Sequence, residues 1–347
     1  MKVLELFAGL GACSKALERL GIEHEIVDAV EIDKYAIASF NAIHGTTFEP
    51  QNICEWDKDI EVDLIMHGSP CQDFSVAGKQ AGGDIGSGTR SSLMYETIRI
   101  VGKLRPKYVI WENVKNLLSA KHRHNFDAYL ETMKALGYTN YYQVLNAKDY
   151  GIPQNRERVF IISILGEHKP FVFPEKQELE IRLKDLLDDE VEEKYYLSQK
   201  MIEGFSKHNE KHTQKGTGFI WKPKTGDDIA SCLRANAALC PTDNSIRCER
   251  IGGIFDTEKS KHQAGSIWDK EQLAPTLDTM QGGYRQPLIE KEMRIRKLTP
   301  KECWRLMGFS DEDFEKAVKV NSNSQLYKQA GNSIVVNVLM EIFKKLL

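Results

Sequence analysis

Along the first 165 residues, short apolar runs alternate with stretches whose apolar positions recur every three or four residues. Val3-Leu4-Glu5-Leu6-Phe7 reads as a strand, the turn Ala8-Gly9-Leu10-Gly11-Ala12 follows, and Ser14 to Leu20 carries one apolar helical face. Further strands are predicted at Glu25 to Val30, Val62 to Met66, Tyr108 to Trp111, Tyr142 to Leu145 and Arg158 to Ile164. Helical patterns occupy Lys34 to Ile43, Leu93 to Leu104 and Asn125 to Leu136. This rhythm predicts an α/β fold, a doubly wound and mostly parallel sheet with ligands at the carboxyl ends of its strands.

After about Leu187 the rhythm stops. Glu190 to Leu288 is richer in Gly, Thr and Lys, with isolated short strands and turn signals such as Lys215-Gly216-Thr217-Gly218 and Gln281-Gly282-Gly283. Helix signals return where Thr299 stands ready to cap a helix starting at Pro300, with Glu302 at its third position. Ser333 to Leu347 reads as an apolar terminal helix, or a strand plus helix. The expected organisation is a first domain over 1–190 completed by 326–347, a smaller second domain over 191–300, and a return segment over 301–325.

Composition sharpens this picture. With 41% hydrophobic and 28% charged residues over 347 positions, the chain has enough apolar material for one large or two ordinary domains, which excludes disorder as its dominant state. Mean hydropathy is -0.42 and no apolar run reaches the roughly 18 residues that a bilayer span needs. Met1 to Phe7 already reads as a strand, without a basic and then apolar leader, so a cytoplasmic location is expected, in a bacterial or phage-infected cell. Seven cysteines, at 13, 54, 71, 232, 240, 248 and 303, never form a Cys-x-x-Cys pair, which argues against a disulfide framework and against bound metal. The net charge of -3 hides an asymmetry: Val191 to Pro300 holds 18 Lys and Arg against 15 Asp and Glu, a weak hint of a nucleic-acid face.

Two clusters carry candidate chemistry. Glu31 ends the second strand 20 residues past Gly11, a spacing that suits a carboxylate on the ribose hydroxyls of an adenosine-type cofactor. Plain turn chemistry explains the glycines equally well. Ser14 stands where the dinucleotide pattern wants a third Gly or Ala, which shifts weight from a pyrophosphate toward a phosphate-free ligand such as S-adenosylmethionine. The second cluster combines Gly68-Ser69-Pro70-Cys71-Gln72 after one strand, Trp111-Glu112-Asn113-Val114 at the end of another, and Gln154-Asn155-Arg156-Glu157-Arg158 before a third. Taken singly, Cys71 reads as a small core residue, Glu112 as a helix-start carboxylate, and Arg156 and Arg158 as a solvated strand edge. Together, a thiol, a carboxylate and two cations converge on one sheet edge.

In these residues the chain resembles the cytosine-5 DNA methyltransferases of bacterial and phage type. The blocks that carry the resemblance are Phe7-Ala8-Gly9-Leu10-Gly11, Pro70-Cys71-Gln72, Glu112-Asn113-Val114, Gln154-Asn155-Arg156-Glu157-Arg158, Arg305-Leu306-Met307-Gly308-Phe309 and Gly331-Asn332-Ser333, in the family's order and over nearly the whole chain. The resemblance implies a catalytic, cofactor-binding domain facing a smaller target-recognition domain across a cleft for double-stranded DNA. It makes Cys71 the nucleophile at carbon 6 of a flipped-out cytosine, Glu112 the group that meets N3, Arg158 the residue that holds the base carbonyl or orients Glu112, and Arg156 their support. For S-adenosylmethionine it implies Phe7 against adenosine, Gly9 and Gly11 in the turn, Glu31 on ribose, Ile32, Asn52, Ile53 and Pro70 around the adenine and the site, and Asn332 at the methionine end. Ile32 replaces a frequent aromatic and Asn52 a frequent Asp, although an Asn carbonyl still accepts a hydrogen bond. Gln72, Ser75, Arg90, Thr276 and Arg285 are implied to meet DNA, and Arg234, Asn236, Arg247 and Gln263 are further candidates for base reading.

Other readings change the substrate or the chemistry. A cytosine-5 methyltransferase acting on transfer RNA would use the same blocks, but a second domain of over 100 residues favours duplex DNA. A nicotinamide oxidoreductase explains the glycine turn and leaves Cys71, Glu112 and Arg158 unexplained. A DNA-binding module without catalysis is disfavoured because thiol, acid and arginines are all present. A monomer bound to no metal and no membrane is the expected state, and pairing with a restriction enzyme is one expected setting.

Overall fold

The computed structural model describes residues 1–70, 93–216, 218, 220–235, 243–247, 267–269, 288–290 and 295–347. The chain forms two compact units: Met1–Ile181, Ser231–Ala237 and Pro300–Leu347 in the first, Arg182–Ala230 and Ala238–Thr299 in the second.

The first unit is built on a six-stranded sheet. Its strands are β1 (Lys2–Leu6), β2 (Glu25–Val30), β3 (Leu64–His67), β4 (Tyr108–Val114), β5 (Tyr138–Asn146) and β7 (Glu157–Leu165), in the order β2-β1-β3-β4-β7-β5, and a two-residue strand β6 (Gln154–Asn155) lies outside it. β1 to β4 run parallel, as the alternation predicted, while β7 runs antiparallel to both β4 and β5. That reversal matters because it brings the start of β7 to the carboxyl end of β4, where Arg158 pairs with Val114. Both faces are covered, hence the near-continuous apolar runs. Leu4, Leu6, Ile65, Val109, Trp111 and Ile161 pack in one core with α3 (Met94–Leu104) and α4 (Arg123–Ala135), and Val3, Leu64, Ile110 and Ile162 are buried as well.

Local chemistry sets the helix ends. α1 (Ala12–Arg19) starts from Gly11 in the left-handed region, and α2 (Lys34–His44) is capped by the Asp33 side chain, which accepts from the Tyr35 amide at 2.9 Å. The second unit contains α5 (Gln199–Lys215), started by a Ser198 cap and stopped by left-handed Gly216, and the short strands β9 (Ser245–Arg247), β10 (Ile267–Asp269), β11 (Leu288–Glu290) and β12 (Ile295–Lys297), while β8 (Ala230–Ser231) straddles the boundary. β9 pairs antiparallel with β12, and Ile202, Trp221 and Ile295 form a small core.

The terminal segment departs from the expected division. All of Pro300–Leu347 groups with the first unit, and the return segment 301–325 is made of α6 (Pro300–Arg305), α7 (Asp311–Ala317) and the start of α8 (Asn323–Asn332). The reason is its own apolar set: Trp304, Leu306, Met307 and Phe309 are buried, and Ser310 and Asp313 close a capping box on α7. The terminus is the helix α9 (Val336–Leu346), with no strand ahead of it. The first boundary falls at Ile181 rather than 190, and Ser231–Ala237 rejoins the first unit.

Candidate active site

The turn after β1 is shaped by backbone torsions that only special residues tolerate. Phe7, Gly9 and Gly11 take φ values of 54, 55 and 73°. For Phe7, which carries a Cβ, this region costs about 1–3 kcal/mol and is typical of sites where backbone must be aimed. At Gly11 a side chain is excluded outright, since a Cβ there would collide with the rings of His44 and Phe40. Glu31, at the end of β2, closes the turn: its carboxylate accepts the Gly9 amide at 3.1 Å and the Asp33 amide at 2.9 Å. Burial pushes its pKa up against those two bonds.

A cavity open to solvent runs from Phe7 and Gly9 past Gly68 to Glu112, with Asn332, Ser333 and Ile334 along its wall. Among the described residues its lining holds two carboxyl groups, Glu5 and Glu112, and no Lys or Arg. Glu5 is buried in β1, where Ser14 donates both its amide and its hydroxyl to it, and burial lifts its pKa to about 7.

Glu112 sits near the end of β4, 8% exposed. Arg158 Nε lies 3.0 Å from its Oε1, an ion pair outside the geometry of a good hydrogen bond, so that oxygen keeps capacity for another partner. Burial raises the Glu112 pKa, opposed by the charges of Arg158 and Arg156. A Cβ on Gly68 would lie 3.7 Å from Glu112 Oε2, so the carboxyl rests against the loop that leads into Cys71. That loop is fixed from β4: Trp111 Nε1 donates to Ser69 Oγ at 3.0 Å and Asn113 Nδ2 to Ser69 O at 3.3 Å. Pro70 is half-buried after it.

Arg156 is placed differently from Arg158. It is 4% exposed and donates to Gly331 O at 3.1 Å, Ser333 O at 2.8 Å, Leu233 O at 3.3 Å and Cys232 Sγ at 3.5 Å. Three of these acceptors are main-chain carbonyls, two of them at the end of α8 where Asn332 enters the cavity wall. Its role is to hold backbone around the site, through a cation at a helix C-terminus.

The structure therefore brings Phe7, Gly9, Glu112 and Asn332 to one cavity, with Glu31 on the Gly9 amide and Arg158 on Glu112. Gly11 shapes the turn from outside the lining, Ile32 is 71% exposed beside Glu31, and Ile53 points into the main core. The Asn52 carbonyl accepts from the Cys54 amide and its amide donates to Glu55, so it already serves its own turn. Cys71, Gln72, Ser75, Arg90, Thr276 and Arg285, with Asn236 and Gln263, lie outside the described residues; Arg247 is in β9. Glu5 was not singled out from the sequence, Gln154 entered only as part of its block, and Cys232 only among the cysteines, as strand packing rather than a metal ligand. A carboxylate inside an apolar strand was a readable signal for Glu5, whereas nothing local marks Cys232.

The chain matches the family model for C-5 cytosine-specific DNA methylases over residues 1–347. It belongs to that family. The type II methyltransferase M2.ScrFI of Lactococcus lactis subsp. cremoris is 34% identical over 401 aligned residues, covering 100% of this chain and 99% of that protein. The type II methyltransferase M.HhaI of Haemophilus parahaemolyticus is 35% identical over 350, covering 99% and 93%. Among solved structures, the S. pombe Dnmt2 methyltransferase superposes with a TM-score of 0.68 at 18% identity, covering 99% of this chain and 97% of that one, a likeness of fold alone. As a C-5 cytosine-specific DNA methylase the chain is a methyltransferase, and neither the transfer-RNA nor the nicotinamide alternative is favoured. Among the described residues no cluster of three His, Cys, Asp or Glu could hold a metal, and no helix is long and apolar enough to cross a membrane.

Proposed function

We propose that this chain methylates carbon 5 of cytosine in double-stranded DNA, with Cys71 as nucleophile, Glu112 as the acid at N3 and S-adenosylmethionine as methyl donor. The observation that carries the reading is the Glu112–Arg158 pair, buried at one end of a cavity whose other end is the Phe7–Gly9 turn braced by Glu31.

The cavity suits the donor chemically. No Lys or Arg in the described lining answers a phosphate, and its two carboxyl groups, whose protons burial favours, offer hydrogen bonds to a phosphate-free ligand. S-adenosylmethionine supplies a methyl group on a sulfonium, electrophilic enough for transfer once a carbon nucleophile is presented. Glu31 retains lone pairs for ribose hydroxyls while its bonds to the Gly9 and Asp33 amides hold it in place, and Phe7 offers its ring beside the turn. Asn332 and the neighbouring backbone take the methionine end, kept in register by the grip of Arg156 on Gly331 and Ser333.

Carbon 5 of cytosine is a weak nucleophile. Addition of the Cys71 thiolate to carbon 6 moves the ring's electron pair toward N3 and makes carbon 5 enamine-like. Glu112, its proton favoured by burial, donates to N3 and stabilises that charge. Arg158 holds the carboxyl in position through the 3.0 Å pair. After methyl transfer, loss of the carbon 5 proton to solvent returns electrons to the ring and expels the Cys71 thiolate, and N3 gives its proton back to Glu112, restoring the neutral aromatic base and the acid. The cytosine must leave the duplex for this, at a cost of a few kcal/mol.

On the same resemblance, Gln72, Ser75, Arg90, Thr276 and Arg285 meet the DNA, and the second unit reads the sequence. Bisulfite sequencing of DNA from cells that express the protein tests the reading: 5-methylcytosine in one recurrent sequence context is expected, and a cytosine pattern unchanged from control cells overturns it.

A further inference from the structure

Cys232 occupies a position that neither the cofactor nor the nucleophile explains. It lies in Ser231–Ala237, which groups with the first unit although the chain on both sides groups with the second. The backbone there is clamped. Leu233 N donates to Gln154 Oε1 at 3.1 Å, Leu233 O accepts from Arg156 Nη1 at 3.3 Å, and Gly331 presses against Arg234 and Ala235 so closely that any Cβ would collide with their main chain. Gly331 is therefore required for the approach, and the approach fixes where the thiol points.

The sulfur meets the arginines. Sγ accepts from Arg156 Nη1 at 3.5 Å and from Arg158 Nη2 at 3.7 Å. The remaining groups of Arg158 are also committed, Nη1 to Glu157 O at 2.8 Å and Nε to the ion pair with Glu112. A planar guanidinium has no freedom left once its fork is fixed at these places. Burial pushes the Cys232 thiol up, but the two guanidiniums outweigh it and hold its pKa below the ordinary thiol range. Sulfur and carboxylate thus share one cation, and Sγ in turn donates to Leu233 O at 3.5 Å.

We infer that Cys232 is a positioning residue for methyl transfer: its sulfur sets the rotation of the Arg158 guanidinium and takes part of its charge, so that Glu112 is held in place while keeping its proton. The inference rests on the reading of Glu112 as the acid at N3. The groups that face Glu112 are Arg158 from β7, Arg156 from the turn before it, Glu5 from β1 through the shared cavity, and Cys232 through Arg158. Removing the sulfur takes away an acceptor that both guanidiniums use, which strengthens their pull on Glu112, favours the carboxylate and takes the proton away at lower pH.

The test is steady-state kinetics of the full-length wild type, Cys232→Ala, Cys232→Ser and Cys232→Asp on one methylatable duplex, across pH. Cys232→Ala and Cys232→Ser are expected to lower kcat about tenfold or more with KM for DNA and donor within about threefold, and to move the alkaline limb of kcat about one pH unit down. Cys232→Asp puts a strong acceptor before the two guanidiniums and is expected to return the alkaline limb at least to its wild-type position, which packing alone would not do. Should Cys232→Ala fold poorly, the comparison of Cys232→Ser with Cys232→Asp carries the test. An active wild type whose Cys232 variants keep its kcat and pH profile, or change KM alone, overturns the inference. A wild type that forms no 5-methylcytosine overturns the reading of the site itself, and the inference with it.

Discussion

The Glu31 carboxylate accepts the Gly9 amide at 3.1 Å, tying the carboxyl end of β2 to the turn that follows β1. One side chain thus fixes the backbone that a nucleoside must approach and offers the acceptors its ribose needs. Glu31→Ala is expected to weaken S-adenosylmethionine binding about 10- to 100-fold, the loss of roughly 1.5–3 kcal/mol from hydrogen bonds to a charged group. Isothermal titration calorimetry reads this directly, and an unchanged Kd removes Glu31 from the donor site. Glu31→Gln keeps an acceptor for the Gly9 amide and should fall between.

Glu5 has its folded pKa raised from 4.5 to about 7. Between those values the folded state binds a proton that the unfolded chain has released, so this group makes stability fall as pH rises from about 4.5 to about 7, and the full cost remains above that. The difference is on the order of 3 kcal/mol. His44, held neutral by burial with a pKa of about 4, slopes the opposite way between about 4 and 6.5 and masks part of the effect in the wild type. Glu5→Gln keeps an acceptor for the Ser14 amide and cannot ionise. Urea unfolding of both proteins across pH should show the variant gaining on the wild type through the window and staying ahead at pH 8; parallel curves would refute it.

Much of this was legible in the sequence. Glu25–Val30 was bounded correctly because a strand between a charged start and the Glu31 stop leaves little ambiguity, and the apolar pattern of Lys34 to Ile43 fell one residue short of the helix, which the structure starts at an Asp33 cap and stops at left-handed Gly45. The convergence of Glu112 with the Arg158 block was also readable, but its cause was not. In an all-parallel sheet a residue before a strand sits at the opposite edge from one at a strand's end. The antiparallel course of β7 resolves this, and strand direction leaves no mark in apolar periodicity. The clamp on Cys232 joins residues 76 to 97 positions apart in sequence, through Gln154, Arg156 and Gly331, and such contacts leave no local pattern.

Gly331 supplies a case where propensity gives the wrong sign. In the last turn of α8, Ala would ordinarily gain up to about 1 kcal/mol over Gly. Here the added methyl meets the main chain of Arg234 and Ala235, which cannot rotate away as a flexible side chain would. Gly331→Ala is expected to cost about 1–3 kcal/mol in chemical denaturation and to lower kcat, since the displaced segment carries Cys232. A variant as stable as the wild type would show that the segment yields freely.

The central claim is a bond between the Cys71 sulfur and carbon 6 of the target base. It is tested most directly by incubating the protein and donor with duplex DNA carrying 5-fluorocytosine at the methylated position, where fluorine blocks the final elimination. A denaturation-resistant protein–DNA adduct is expected, with mass spectrometry placing the cross-link on Cys71 and with none formed by Cys71→Ser. An adduct that maps elsewhere, or persists in Cys71→Ser, would contradict the account.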